Sequence, residues 1–263
     1  MTNLPNIPRL YTALAEVLAV LLYAQPLPLR LKPRATAGIT ALWAAALCLF
    51  LHETGAVPLG WWVPCMLLAV ALLYFYLWGT RAIPLLEALY VCARAFILAE
   101  LAASAEWQLH CGLFPHRGGA DPLAVGLLIA FYGALYGGVF WLERSRPSPA
   151  GRLTISHKAA LVAFVMAGTV FAVSNLLLLG EARIDMMSYC IRTLVDFCGV
   201  LILTVQHDQL RESALHSELA AMDKVLHRQY EQYKRSKEGI KLINSRYHEL
   251  KIQIANIRAE RDQ

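Results

Sequence analysis

Charged residues are scarce in this sequence: Asp, Glu, Lys and Arg account for 16% of its 263 residues, whereas hydrophobic residues account for 57%. Soluble domains carry about 25% charged residues, so the composition excludes an ordinary soluble domain and favours a protein that folds in a lipid bilayer. The net charge of +5 does not indicate a nucleic-acid partner, because the bases lie in short loops and in one terminal segment of mixed sign.

Two familiar patterns are also missing. The six cysteines are scattered without a CxxC pair or a histidine at ligand spacing, which favours small apolar side chains in the membrane over metal ligands or disulfides. A secretory signal layout is absent as well, since only Arg9 precedes the first apolar run and no small-residue cleavage site follows it. We therefore expect this run to remain as a helix.

Seven apolar runs are long enough to cross about 30 Å of hydrocarbon, which takes roughly 17–25 helical residues. They cover approximately 7–24, 36–51, 57–78, 84–107, 122–142, 159–179 and 187–205. The first two are short, and the first contains Glu16, so six spans stay an alternative. The sequence predicts an all-α membrane protein with about seven transmembrane helices.

The distribution of basic residues predicts the orientation of the chain. With seven helices, one set of loops contains eight lysines and arginines, and the opposite set, together with the N-terminus, contains three. The basic set is Arg30, Lys32, Arg34, Arg81, Arg144, Arg146, Arg152 and Lys158, and the other is Arg9, Arg117 and Arg183. Because basic loops stay in the cytoplasm, we expect the N-terminus outside the cell membrane and the C-terminus in the cytoplasm.

Beyond residue 205 the sequence becomes rich in charge without a Pro or Gly linker, so the last span should continue into a cytoplasmic helix. Apolar residues recur there at spacings of three and four, typical of a coiled coil. The a positions are Leu219, Leu226, Tyr233, Ile240, Tyr247 and Ile254, and the d positions are Leu215, Met222, Gln229, Ser236, Ile243, Leu250 and Ile257. Gln229, Ser236 and the nearby Gly239 interrupt this seam, which indicates either a weak coiled coil or a segment where the helix shifts register. We predict a membrane domain over 1–206 and a homodimerisation helix over 207–263.

Residues 229–254 read QYEQYKRSKEGIKLINSRYHELKIQI. This segment resembles the linker and phosphoacceptor box of GHKL-type sensor histidine kinases of the quorum-sensing, accessory-gene-regulator kind, whose pattern is QYEQYK-x-SKE-x-I-x-x-IN followed by H-[DE]-L-K-x-Q-I. The resemblance implies that His248 is the phosphorylated histidine and that Glu249 is the adjacent acid of the catalytic box. The family more often has Asp in place of Glu249 and a second His in place of Ile252. The run 95–108 also resembles, less specifically, the membrane sensors of some members.

The helical position of His248 agrees with this role on physical grounds. Heptad position b places its imidazole in solvent, and an adjacent carboxylate can accept a hydrogen bond from the ring and strengthen its nucleophilicity. The alternative is an ordinary histidine on the polar face, which is our interpretation of His207, His216 and His227. Only fifteen residues follow His248, and no Asn box or glycine-rich nucleotide lid is present, so we expect no cofactor in this chain and ATP on a separate or missing GHKL domain.

The predicted function is the receptor portion of a two-component sensor histidine kinase. The expected partners are membrane lipid, a second copy of the chain, and a response regulator or a GHKL ATPase domain, with no nucleic acid. Two alternatives stay open: a small transporter or channel with a cytoplasmic oligomerisation helix, and a partner that heterodimerises with a complete kinase and damps it. Against transport, the membrane region shows no inverted repeat and no pair of spans broken by Gly or Pro.

Several ionisable residues lie inside the apolar runs, where they are costly and usually face the interior or one another. Glu87 and Arg94 are seven residues apart on one face of the fourth span, and Arg192 and Asp196 are four apart in the seventh. Other polar residues of these runs are Glu100, Glu106 and Asn175. Together they are predicted either to line a polar pocket for a signal molecule or to join helices to one another. We favour Glu87, Arg94 and Glu100 as sensing residues, because the glutamates late in the fourth span have no obvious neutralising partner.

Overall fold

The computed structural model describes residues 4–56, 59–115, 118–146, 155–180 and 185–261. In these ranges the chain forms seven α-helices and no β-strand. They are α1 (Arg9–Ala24), α2 (Pro33–Glu53), α3 (Leu59–Thr80), α4 (Leu85–Leu113), α5 (Pro122–Ser145), α6 (His157–Gly180) and α7 (Met186–Arg261). The predicted all-α class and the long C-terminal helix are confirmed.

Local sequence accounts for several helix starts. α2 begins with Pro33 and α5 with Pro122, since a proline at the first position has no N–H to leave unpaired. Asp121 caps α5 by accepting a hydrogen bond from a backbone N–H of the first turn at 3.0 Å. Before α7, Asp185 accepts hydrogen bonds from the backbone N–H and the hydroxyl of Ser188, both at 2.8 Å. These bonds lower the pKa of the Asp185 carboxyl below its ordinary value.

Among the described residues, five helices are long and apolar enough to cross a membrane. The qualifying stretches are Pro33–Glu53, Val63–Thr80, Pro122–Ser145, His157–Asn175 and the apolar beginning of α7. α1 has only 16 residues, and α4 carries three glutamates and one arginine within its 29 residues. The chain is therefore an all-helical protein with five candidate membrane-spanning helices, and the count of seven stays a prediction.

α4 lies at the centre of the helices that precede the tail. It packs against α1, α3, α5 and α6, and its side chains are buried around the whole circumference from Tyr90 to Ser104. Frequent alanines in this helix let neighbouring backbones approach closely. Any ionisable group on the middle of α4 must therefore find its partners among the surrounding helices.

Gly199 marks a close approach of α7 to its neighbours. A Cβ atom there would lie 2.9 Å from both Cγ atoms of Val170 in α6 and 3.1 Å from Ile97 Cγ2 in α4. Because a β-branched valine is stiff, we expect Gly199→Ala to lower the free energy of unfolding by about 1–3 kcal/mol, measured by denaturant titration in detergent. The control Gly239→Ala, whose new Cβ would meet no atom within 4 Å, should cause no loss. Equal stabilities of the two variants would contradict this packing.

The chain divides into two compact units, Met1–Leu210 and Arg211–Gln263, and α7 contributes to both. The predicted domain boundary falls between 206 and 207. In the second unit, the apolar seam residues from Leu219 to Ile254 are 52–68% exposed. The side chain of Ile257, the last predicted d position, is outside the described residues. The helix is present, and its pairing as a coiled coil stays a prediction.

Candidate functional site

Four side chains from α4 and α7 form a hydrogen-bonded group that we call the central cluster. Arg192 Nη2 donates to Glu100 Oε2 at 2.9 Å, and Ser104 Oγ donates to Asp196 Oδ2 at 2.8 Å. Arg192 Nε lies 4.0 Å from Asp196 Oδ2. All four residues are at most 8% exposed, so water does not screen the ion pair between Arg192 and Glu100.

Helical spacing explains how the central cluster is assembled. Glu100 and Ser104 are four residues apart in α4, and Arg192 and Asp196 are four apart in α7, so each pair lies on one face of its helix. The expectation that Glu100 has no neutralising partner is wrong, because Arg192 supplies one from 92 residues further along the chain. Asn175 of α6 instead donates its amide to a carbonyl oxygen of its own helix at 2.8 Å.

Glu16 of α1 lies beside the central cluster. Its side chain is 0% exposed, and neither of its carboxylate oxygens has a hydrogen-bond partner among the described residues. The carboxyl groups of Glu16 and Glu100 are close enough to interact electrostatically. Glu16 is not among the predicted sensing residues. The available signal was a lone glutamate within an otherwise apolar run, which in a membrane protein favours a functional position.

Arg94 occupies a different site from Glu100. Its Nη2 donates to Glu143 Oε1 of α5 at 2.6 Å, and its guanidinium lies 4.4 Å from the ring centre of Tyr23 in α1. Glu87 is also buried, but the carboxylate bonded to Arg94 is that of Glu143. Arg94 therefore links α4 to α1 and α5, whereas Glu100 links α4 to α7.

His207 and Asp208 hold the end of α7 that lies in the first unit. The Tyr90 hydroxyl of α4 and His207 Nδ1 are 3.3 Å apart, and the two rings stack with centres 5.9 Å apart. Asp208 forms an ion pair with Arg146, the residue that follows α5. His207 is only 8% exposed, so its interpretation as an ordinary polar-face residue is wrong. Its contact with Tyr90, 117 residues earlier, is the reason.

Glu106 lies near the C-terminal end of α4 and is 0% exposed. Neither of its carboxylate oxygens has a hydrogen-bond partner within the described ranges. Two aromatic donors of this region are committed to backbone carbonyls: Trp107 Nε1 donates to Pro5 O at 2.8 Å, and the Tyr132 hydroxyl donates to Tyr11 O at 3.0 Å.

The predicted phosphoacceptor lies in the second unit. His248 and Glu249 are both exposed on α7, as a group that must meet a separate catalytic domain requires. Glu249 Oε2 accepts a hydrogen bond from Arg246 Nη1 at 3.1 Å, one turn earlier on the same helix. Both side chains of this pair are exposed, so it contributes little to stability.

Comparison of the chain with protein-family models, with curated proteins and with solved structures finds no match. The resemblance to GHKL-type kinases therefore rests on the residues of the box around His248. The functional proposal below depends on that resemblance and on the geometry of α7.

Proposed function

We propose that this chain is the membrane receptor portion of a two-component sensor histidine kinase, in which a change among the membrane helices is passed along α7 to His248. The continuity of α7 is the observation that carries the proposal. This helix runs from Met186 to Arg261 without a proline, contains the buried Arg192 and Asp196, and then carries the exposed His248. A small displacement of one packed helix is a recurring way of transmitting a signal.

In this proposal α1 and α4 cross the membrane together with the five candidate spans, which makes seven crossings. Apart from the partly exposed Arg9 at the start of α1, their charged side chains are buried against other helices and are therefore shielded from lipid. The distribution of basic loop residues supports an outer N-terminus and a cytoplasmic C-terminus. The tail is then in the compartment that contains ATP.

The proposed chemistry is phosphoryl transfer to His248. A neutral ring nitrogen attacks the γ-phosphorus of ATP, the bond to the β-phosphate oxygen breaks, ADP leaves, and the ring proton passes to a base such as Glu249. ATP is held by a GHKL domain outside these 263 residues, and a response regulator receives the phosphoryl group. The proposal is tested by supplying such a domain and ATP in trans and measuring acid-labile phosphate on this chain.

A homodimer follows from the exposed apolar seam of the tail, because a second copy in register covers it and places Gln229 and Ser236 opposite their equivalents. We expect Ile243→Asp, a charge introduced at a d position, to convert the full chain in lipid nanodiscs from dimer to monomer. Light scattering measures the mass of the assembly and therefore distinguishes the dimer from the monomer.

Leu242→Asp is the matched control for the dimer. Leu242 and Ile243 are exposed to a similar degree, 64% and 68%, but Leu242 lies off the seam. The Leu242 variant should remain dimeric. A monomeric unaltered chain, or equal effects of the two substitutions, would refute the paired tail.

Transport is the second candidate function, favoured by one observation: Glu16 and Glu106 are buried carboxyls without hydrogen-bond partners in the described residues. Intramembrane acids of this kind often mark ion pathways. Solute or proton flux into proteoliposomes that persists after deletion of residues 211–263 would decide for a transporter, since the tail would then be dispensable.

A further inference from the structure

The interior around the central cluster contains more carboxyl groups than guanidinium groups. Glu16 and Asp196 both interact electrostatically with Glu100, and all three carboxyls are at most 2% exposed. Two guanidiniums face them, Arg192 within the cluster and the partly exposed Arg9 at the start of α1. One carboxyl is thus left without a balancing guanidinium. An uncompensated carboxylate is strongly disfavoured in an apolar interior.

The surroundings of Glu16 identify it as the unbalanced group. The ionisable side chains that interact electrostatically with Glu16 are Arg9 of α1, Cys48 of α2, Cys92 and Glu100 of α4, and Tyr136 of α5. The Tyr136 hydroxyl donates to the Ala15 carbonyl at 2.8 Å, and Arg192 is bonded to Glu100. No donor in the described ranges is hydrogen-bonded to Glu16.

The chemistry of the site restricts what compensates Glu16. In the described residues, no group of three or more His, Cys, Asp or Glu side chains is arranged to hold a metal ion. A proton needs no cavity and removes the excess charge completely. We propose that Glu16 holds an exchangeable proton beside Glu100, so that the central cluster is a proton-binding site that joins α1, α4 and α7.

Loss of this proton changes the interaction between α4 and α7. A second carboxylate next to Glu100 competes for Arg192, which is the residue that ties α7 to α4 through the 2.9 Å bond. The two protonation states therefore favour different positions of α7, and a ligand that binds two states unequally shifts their populations. The proton is the ligand in this case. The inference is independent of phosphorylation at His248.

Infrared spectroscopy of the full chain in lipid nanodiscs tests the proposal. The unaltered protein at neutral pH should show a carbonyl-stretch band of a protonated carboxyl group that shifts in deuterium oxide. Glu16→Gln, which is isosteric with the protonated acid, should lose this band, whereas Glu53→Gln, at the exposed end of α2, should keep it.

A second measurement does not depend on the folding of a variant. Glutamate labelled with ¹³C at the side-chain carboxyl should shift the band in the unaltered chain. A band whose position does not change with the label belongs to an aspartate, and this result would overturn the proposal. The proposal is also overturned if the band survives Glu16→Gln and disappears in Glu106→Gln. The absence of any band from a protonated carboxyl would overturn it as well. Labelling of His248 would be unaffected by each of these outcomes, so the two proposals fail separately.

Discussion

Replacing His248 with glutamine is expected to reduce acid-labile phosphate on this chain to background when a GHKL domain and ATP are supplied in trans. Glutamine retains a polar side chain of similar reach but has no nucleophilic ring nitrogen, so no phosphoryl group can be transferred to it. His248 lies on an exposed stretch of α7 in the second unit. The substitution should therefore leave folding and membrane insertion unchanged.

His227→Gln is the matched control for this experiment. His227 is also exposed on the tail portion of α7, but no box surrounds it, and its replacement should leave the labelling unchanged. Glu249→Gln should slow labelling by about 10²-fold if the carboxylate accepts the ring proton. Labelling that survives in the His248 variant, or that is lost equally in the His227 variant, would show that the box does not contain the acceptor.

The positions of the helices could be predicted from the sequence. They depend on the length of each apolar run and on the capping and proline residues at its ends. The predicted span 122–142 corresponds to α5, whose start follows from the Asp121 cap and the proline after it. The uninterrupted course of α7 follows from the lack of a proline or glycine just beyond residue 205. α4 extends to Leu113, six residues past the predicted end at 107, and His110 and Cys111 in its last turns are buried.

The partners of the buried polar groups could not be predicted from the sequence in the same way. Periodicity shows that Arg192 and Asp196 share a face, but it does not show which helix that face meets. Glu100 and Arg192 are 92 residues apart, and Arg94 and Glu143 are 49 apart. Such pairings depend on helix packing, which a single sequence leaves undetermined. An intramembrane charge such as Arg94 nevertheless predicts that a partner exists. Its partner Glu143 lies one residue beyond the predicted span 122–142.

Replacing Arg192 with methionine is expected to lower the free energy of unfolding of the first unit by about 3–5 kcal/mol. Methionine fills a similar volume but leaves the carboxyl groups of Glu100 and Asp196 without their guanidinium in a site that is at most 8% exposed. The cost of breaking a buried ion pair on one side arises mainly from the orphaned charge. Denaturant titration of the detergent-solubilised chain, followed by tryptophan fluorescence, measures the change.

The double variant Glu100→Gln, Arg192→Met separates the orphaned charge from lost packing. If the ion pair is the cause, removing the carboxylate should recover a large part of the stability lost in the single variant, because the uncompensated charge disappears. Arg228→Met, on the exposed tail, should change stability by less than about 0.5 kcal/mol. A single variant as stable as this control would mean that the Arg192–Glu100 pair does not hold α7 against α4. A change at Glu100 or Glu16 could then not act through Arg192 on the helix that carries His248.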